Sequence, residues 1–408
     1  MINKLNIIPE HYSTTFIKHL IVFALFFPVF YSEMGNAYYP DFILVNVFAA
    51  CFLAVIVLRH DFTFTNSKVF VFTLTAILIV YDICALYINK KYLHWYSDQA
   101  NVTVAFAFFI ILLLLKKPTK ILSDNVIRFF IHSIVISNII GFVFYFMGYY
   151  GITFLNCYPY LIKMDPNYYE TRFNWIYYHK SQYALMLVLF LALFFTYRKL
   201  FHNKWTFIAS ISVLFIGLII SHTYTSMIAA FFIPGGLLLD YIRSSSYKIK
   251  PKYFLFTLPI IGIIAIILYK ISQERSIWTL GSRIPIWSES LHILKEHFYG
   301  IGVDFGFIAF KIPNLSFEVY NCHNLFMNWM LRFSVPVGVC YTLMFILILA
   351  ASLKRNHSFL SCGIWIALLI PMCMDYSMLT TELTLFLFTI YCIFFHNTDA
   401  TSKAGENI

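Results

Sequence analysis

The sequence predicts an all-α, polytopic integral membrane protein. Hydrophobic residues make up 60% of its 408 residues and charged residues only 12%, whereas soluble domains carry about a quarter charged residues. The apolar residues are gathered in runs of about 20, the length that a helix needs to cross a bilayer. Because backbone polar groups in lipid must be paired within the protein, these runs are expected to be helices. Residues 1–408 are therefore predicted to form a single membrane domain.

Twelve apolar runs are predicted as membrane spans. They cover residues 16–33, 42–58, 69–88, 99–115, 126–147, 181–197, 206–221, 226–242, 254–272, 335–353, 359–376 and 379–396. Lysine and arginine concentrate in alternate connections, and the short connections of the other side carry only Lys90 and Lys91. The positive-inside rule then predicts that both termini are cytoplasmic. This topology accounts for the net charge of +10, so the charge does not indicate a nucleic-acid partner.

Two long connections are predicted on the outer face, residues 148–180 and 273–322. Connections of this length are usually functional or disordered. The first carries Arg172, His179 and Lys180 among several tyrosine and tryptophan residues. Aromatic side chains stack on sugar rings, but they also form the interfacial belt of membrane proteins. Both interpretations stay open from the sequence.

The second connection contains a predicted amphipathic helix. Apolar residues recur at i, i+4, i+7 and i+11, while polar residues take the other side. The apolar stripe consists of Trp287, Leu291, Leu294 and Phe298. Pro285 near the start and Gly300 just past the end are residues that typically begin and end helices. Such a helix is expected at the membrane interface, where it could also simply rest on the bilayer.

Arg283 is predicted at the start of this helix. A cation there opposes the helix dipole, and the free backbone N–H groups point outward. A bound anion would satisfy both, and a phosphate matches the geometry of a guanidinium group best. The alternative is that Arg283 meets lipid headgroups.

A polar helical face is predicted where the chain enters the membrane after the second connection. Asn324, Asn328 and Arg332 recur every four residues there, and polar residues in such a segment usually face protein or a wet cavity. Ser334 to Pro336 is expected to break the segment into a short helix followed by a span. His323 precedes it and is a candidate general base near neutral pH. The alternative interpretation is that His323 is an ordinary hydrogen-bonded residue without a catalytic role.

The remaining cysteine and acidic residues give weaker indications. Cys157 and Cys322 are the only cysteines predicted in the outer connections, where a disulfide between them would be permitted. Their Cα spacing is not given by the sequence, so this bond is a hypothesis. Asp82, within a span, is predicted to pair with a base, and the alternative is that it marks a proton path. Asp375 and Glu382 are predicted to be solvated. No nucleotide or metal-binding motif is present, so no cofactor is expected.

The order of these residues resembles the O-antigen polymerase and O-antigen ligase superfamily. The shared elements are R-x-x-x-W, an amphipathic helix, G-x-G, a long connection, H-N and a glycine-containing turn into a span. They fall here on Arg283, Trp287, Gly300, Gly302, His323, Asn324 and Gly338. The segment around Arg172 resembles the arginine-containing stretch of that superfamily's preceding outer loop. Ser334 departs from the pattern, because the family commonly has a glycine there.

The resemblance implies a metal-independent, inverting glycosyltransferase of the bacterial inner membrane with a periplasmic active site. Its donor would be an oligosaccharide linked to undecaprenyl pyrophosphate. Arg172 and Arg283 would hold the pyrophosphate, and His323 would orient or deprotonate the acceptor hydroxyl. The supporting residues would be Trp287, Asn324, His179, Lys180 and Arg332. A chain-length regulator and a flippase would be further partners.

A polymerase is favoured over a ligase within this superfamily. Ligases resemble one another in an outer turn of the form Thr/Ser-x-Ser/Thr-Arg-Gly, whereas this chain has Ser221-His222-Thr223-Tyr224-Thr225, without an arginine. A flippase for the same lipid-linked unit is the alternative from another class. It would need a charged central cavity, and the predicted spans carry few charges.

Overall fold

The computed structural model describes residues 10–31, 62, 66, 69–70, 73–78, 80, 93–116, 122–149, 173–175, 177, 179–244, 262, 269, 282–296, 298, 322–375 and 382–396. These residues are nearly all helical and contain no β-strand. The helices are α1 (Glu10–Tyr31), α2 (Leu93–Leu114), α3 (Asp124–Tyr149), α4 (Lys180–Thr196), α5 (Lys204–Ile220), α6 (Tyr224–Ala230), α7 (Phe232–Ser244), α8 (Arg283–Glu296), α9 (Leu325–Phe333), α10 (Val335–Arg355), α11 (Phe359–Met374) and α12 (Glu382–Phe394). They fall into two compact units.

The first unit comprises residues 1–222 and 378–408 and has α4 at its centre. This helix packs against α3, α5 and α12, and its residues from Ser181 to Phe195 are all buried. Hydrogen bonds join it to α3, since the Tyr183 hydroxyl donates to Asn138 Oδ1 at 2.7 Å. Apolar side chains all around α4 thus make it a core helix, and its buried Tyr183 hydroxyl is paired.

The second unit comprises residues 223–377 and contains α6 to α11. Helices α7 and α11 pack closely, because Gly236 and Gly363 each lie against a backbone carbonyl of the other helix. Small residues allow this approach between helices in membranes. Both carboxylate oxygens of Asp240 on α7 accept backbone N–H groups at the start of α11, at 2.8 Å each. This side chain therefore caps its neighbour.

The predicted break between a short entry helix and a span is confirmed. Helix α9 ends at Phe333 and α10 begins at Val335, with Ser334 between them at φ 133°. This φ strongly favours glycine. Ser334 Oγ accepts the Val337 N–H at 3.3 Å, so the serine caps α10. The two helices then pack together at Gly338, where an added Cβ would lie 2.5 Å from Met330 N.

Replacement of Gly338 by alanine is expected to lower the free energy of unfolding by about 1–3 kcal/mol, because the new methyl group meets backbone atoms that cannot move independently. Thermal unfolding of the detergent-purified protein measures this effect. Gly235 is the matched control, since an added Cβ there has nothing within 4 Å. Gly235→Ala is expected to be neutral or stabilising through helix propensity. Equal loss of stability in both variants would contradict close packing at Gly338.

Three described helical segments are long and apolar enough to cross a membrane: Asp124–Phe146, Tyr224–Ser244 and Val335–Arg355. Several shorter described helices, of 10–17 residues, are also apolar. Exposed isoleucine and valine side chains line one face of α3, at Ile136, Ile139 and Val143. Contiguous exposed apolar surface of this kind suits lipid better than water. The predicted span 42–58 and most of 69–88 and 254–272 lie outside the described residues.

Candidate functional site

The candidate site is built around the turn Cys322–Asn324, which leads into α9. Asn324 is the N-cap of α9, and its Oδ1 accepts the Met327 N–H at 3.1 Å. An asparagine is among the best residues for this position. The predicted supporting residue Asn324 therefore has a definite structural role, because it sets where the helix after His323 begins.

Cys322 is fully buried and fixed by side chains from two helices. Its carbonyl oxygen accepts the Trp287 Nε1–H of α8 at 2.9 Å. Its backbone N–H and its thiol both donate to Asn328 Oδ1 of α9, at 3.3 and 2.8 Å. Burial raises the pKa of the Cys322 thiol to about 12, so the group is a protonated donor at neutral pH.

His323 follows Cys322 with a backbone φ of 52°. A non-glycine residue in this left-handed region costs free energy and persists where its surroundings determine it, as they often do at functional sites. The side chain is half-buried. The imidazole is therefore partly accessible, on a backbone whose conformation is set by its neighbours.

Helix α8 confirms the predicted helix after residue 282, but its buried face differs from the predicted stripe. Ile286, Ser290 and Leu294 are buried, whereas Leu291 is 54% exposed and Phe298 is 50% exposed. This face is buried because α8 packs on α9. The position of the apolar stripe at the membrane interface stays a prediction. The shared core contains Ile286, Leu294, Cys322 and Leu331, with Trp287 and Met327 packed against it.

Arg283 begins α8 and is buried by the end of α11. Its Nη2 lies 3.0 Å from Asp375 Oδ1, and the two side chains are only 8% and 13% exposed. Its Nε–H also donates to the Met374 carbonyl oxygen. The prediction that Asp375 is solvated is therefore wrong. The carboxylate compensates the buried guanidinium, and the last carbonyl groups of α11 favour a cation there.

The other predicted site residues are placed only in part. Arg172, Cys157, Gly300 and Gly302 lie outside the described residues, so the Cys157–Cys322 disulfide stays a prediction. Arg332 lies in α9, and its side chain is likewise outside what the structure describes. Asp82 also lies outside the described residues, so its pairing stays a prediction.

His179 and Lys180 stand at the start of α4 in the first unit. His179 is the N-cap, and its Nδ1 accepts the Ser181 N–H at 3.2 Å. Its own N–H donates to Gln182 Oε1 at 2.9 Å, which completes a capping box. Lys180 is the first residue of the helix. His179 thus ends the first long connection as a helix cap.

Two residues of the site were not singled out for these roles by the sequence. Asp375 carries no local signal, because its partner Arg283 is 92 residues away in the chain. Asn328 was placed on the correct polar face, yet its partner is the Cys322 turn. The spacing Cys322-x5-Asn328 predicts the contact between these two residues only if a turn is already assumed before α9.

No family model and no curated protein matches this chain. Among the described residues, no three His, Cys, Asp or Glu side chains are grouped so that they could hold a metal ion.

Proposed function

We propose that this chain is a surface-polysaccharide polymerase of the O-antigen type. It would join repeat units carried on undecaprenyl pyrophosphate by inverting glycosyl transfer, at the periplasmic face of the bacterial inner membrane. One observation carries the proposal. The Trp287 Nε1–H bond to the Cys322 carbonyl joins residues 35 apart in the chain, and it unites the R-x-x-x-W helix with the His-Asn turn.

The proposal includes a membrane domain of twelve spans, with both termini cytoplasmic and the two long connections periplasmic. Three long apolar helices and several shorter ones support the membrane part of this proposal. On α8, Ile284 and Leu291 are exposed. These side chains would offer the polyprenyl chain an apolar surface as it enters sideways from the bilayer.

In the proposed reaction, His323 acts as the general base. The acceptor hydroxyl of one lipid-linked unit attacks the anomeric carbon of the other unit in line, and its proton passes to the His323 imidazole. A new glycosidic C–O bond forms while the bond from the anomeric carbon to the phosphate oxygen breaks. Undecaprenyl pyrophosphate leaves with the bonding electrons. A positioned base of this kind contributes about 10²–10⁴-fold to a rate.

The arginines are proposed to bind the pyrophosphate and to stabilise its charge as it leaves. In the described structure, Arg283 is held by Asp375, so phosphate oxygens would replace the carboxylate when the donor binds. Carboxylate and phosphate both fit the guanidinium fork, so Arg283 would keep charge-assisted hydrogen bonds, while the displaced Asp375 carboxylate would need another partner or a proton. Arg172 is proposed to provide a second cation from the first outer connection.

Deletion of the encoding gene tests the function directly. We expect lipopolysaccharide that carries the core plus a single repeat unit, because a polymerase extends chains before they are attached. A ligase deletion would instead leave the core alone, and an unchanged ladder of long chains would reject both. Gel electrophoresis of lipopolysaccharide from the deletion strain separates these outcomes, and complementation with the intact gene is the control.

A further inference from the structure

We propose that Asn328 and Trp287 are positioning residues that fix the position and orientation of the His323 imidazole. This inference rests on the proposed function, since it assigns their effect to the general base. Neither residue is placed at the reacting atoms. Each acts through Cys322, the residue directly before the histidine.

The first step concerns the peptide plane between Cys322 and His323. This unit is rigid and planar, and its carbonyl oxygen accepts the Trp287 Nε1–H at 2.9 Å. The direction of this oxygen fixes the plane from which the φ of His323 is measured. Trp287 therefore holds this peptide plane in the orientation that accompanies the left-handed φ of 52° at His323.

The second step concerns the other side of Cys322. Asn328 is 1% exposed, and its Oδ1 accepts both the backbone N–H and the thiol of Cys322. One buried amide oxygen thus holds the chain before the turn, while Asn324 holds the chain after it by capping α9. His323 is fixed from both directions, and rotation is left to its side-chain torsions.

The third step is energetic. A left-handed non-glycine residue is conformationally costly and is retained only where its neighbours determine it. Each hydrogen bond to Cys322 contributes to this restraint, so loss of Trp287 Nε1–H or Asn328 Oδ1 lets the turn relax. A shift of about 1 Å in a catalytic group reduces a rate by about 10²-fold.

The test uses the purified full chain in vesicles, supplied with the lipid-linked repeat unit extracted from a strain that lacks this protein. Asn328→Leu removes the acceptor and keeps the branching and the number of side-chain heavy atoms, and it is expected to lower the rate at saturating donor about 100-fold. Trp287→Phe removes one N–H and keeps a ring, with an expected loss of about 10-fold. The donor concentration for half-maximal rate should stay unchanged in both, because binding is not altered.

Conservative rescue distinguishes positioning from simple support of the fold. Asn328→Asp keeps an oxygen acceptor, is expected to be protonated at this buried position, and should recover part of the rate lost in Asn328→Leu. Ser290→Ala on α8 is the matched control, because Ser290 is buried but donates locally to the Ile286 carbonyl oxygen. It should polymerise normally.

The outcomes separate this inference from the proposed function. Wild-type rates in Asn328→Leu and Trp287→Phe, with His323→Ala inactive, would overturn the positioning role alone. Equal loss of rate and of folded protein in Asn328→Leu, with normal activity in Trp287→Phe, would also overturn it. Wild-type activity in His323→Ala would instead reject the proposed general base.

Discussion

Replacement of His323 by alanine is expected to abolish long polysaccharide chains and to leave core plus one repeat unit. The imidazole is the proposed proton acceptor, and its removal should lower the rate of glycosyl transfer by about 10²–10⁴-fold. The fold should persist, because Asn324 caps α9 and Asn328 binds Cys322 without the imidazole. Lipopolysaccharide gels of a complemented deletion strain measure the chains, and immunoblots of membranes measure the protein.

His292→Ala is the matched control for this experiment. His292 lies on α8, and its side chain is 64% exposed beside Glu296. Loss of a histidine from this surface should leave the ladder of long chains unchanged. A normal ladder in His323→Ala at equal protein level would show that His323 is not the base, whatever the control gives.

The local elements of this region could be predicted because their signals are local. Ser334, Val335 and Pro336 indicated a break, and the structure places α9 and α10 on either side of Ser334. Pro285 and the periodic apolar residues indicated α8, which runs from Arg283 to Glu296. Helix termini and breaks depend on neighbouring residues, so a single sequence contains the information.

The packing of α8 could not be predicted in the same way. The stripe through Leu291 and Phe298 was predicted from periodicity to lie at the membrane interface, and the face of α8 that packs within the protein includes Arg283 and Ser290. Arg283 is compensated by Asp375 from the far end of α11, and Ser290 donates within its own helix. Which face of a helix is buried depends on its partners, and those are distant in the chain.

The sequence indicated which residues to consider for the candidate site, but not the contacts that hold them. The polar periodicity of Asn324 and Asn328 indicated a face turned toward protein or water. The structure assigns one amide to a helix cap and the other to Cys322. Trp287 was predicted as part of an apolar stripe, and its indole N–H instead binds the Cys322 carbonyl. Side-chain hydrogen bonds of this kind leave no periodic trace in a sequence.

The buried Arg283–Asp375 pair leads to the second large effect. Removal of one partner from such a pair typically costs about 3–5 kcal/mol, because a charge is left buried without compensation. Arg283→Ala and Asp375→Ala are therefore both expected to lower thermal stability and the amount of protein in the membrane. Loss of long chains in Arg283→Ala alone would thus not distinguish substrate binding from folding. Thermal unfolding in detergent gives the stability change for each variant.

The double variant Arg283→Met with Asp375→Leu separates the two roles. Apolar residues of similar volume in place of a buried ion pair are often neutral or stabilising, so this protein is expected to reach the membrane in normal amount. If Arg283 binds pyrophosphate, the double variant folds but makes no long chains, since methionine offers no donor to phosphate oxygens. A normal ladder from the double variant would show that Arg283 has only a structural role, as the partner of Asp375. Pyrophosphate binding would then have to be assigned to Arg172 or to another cation of the outer connections.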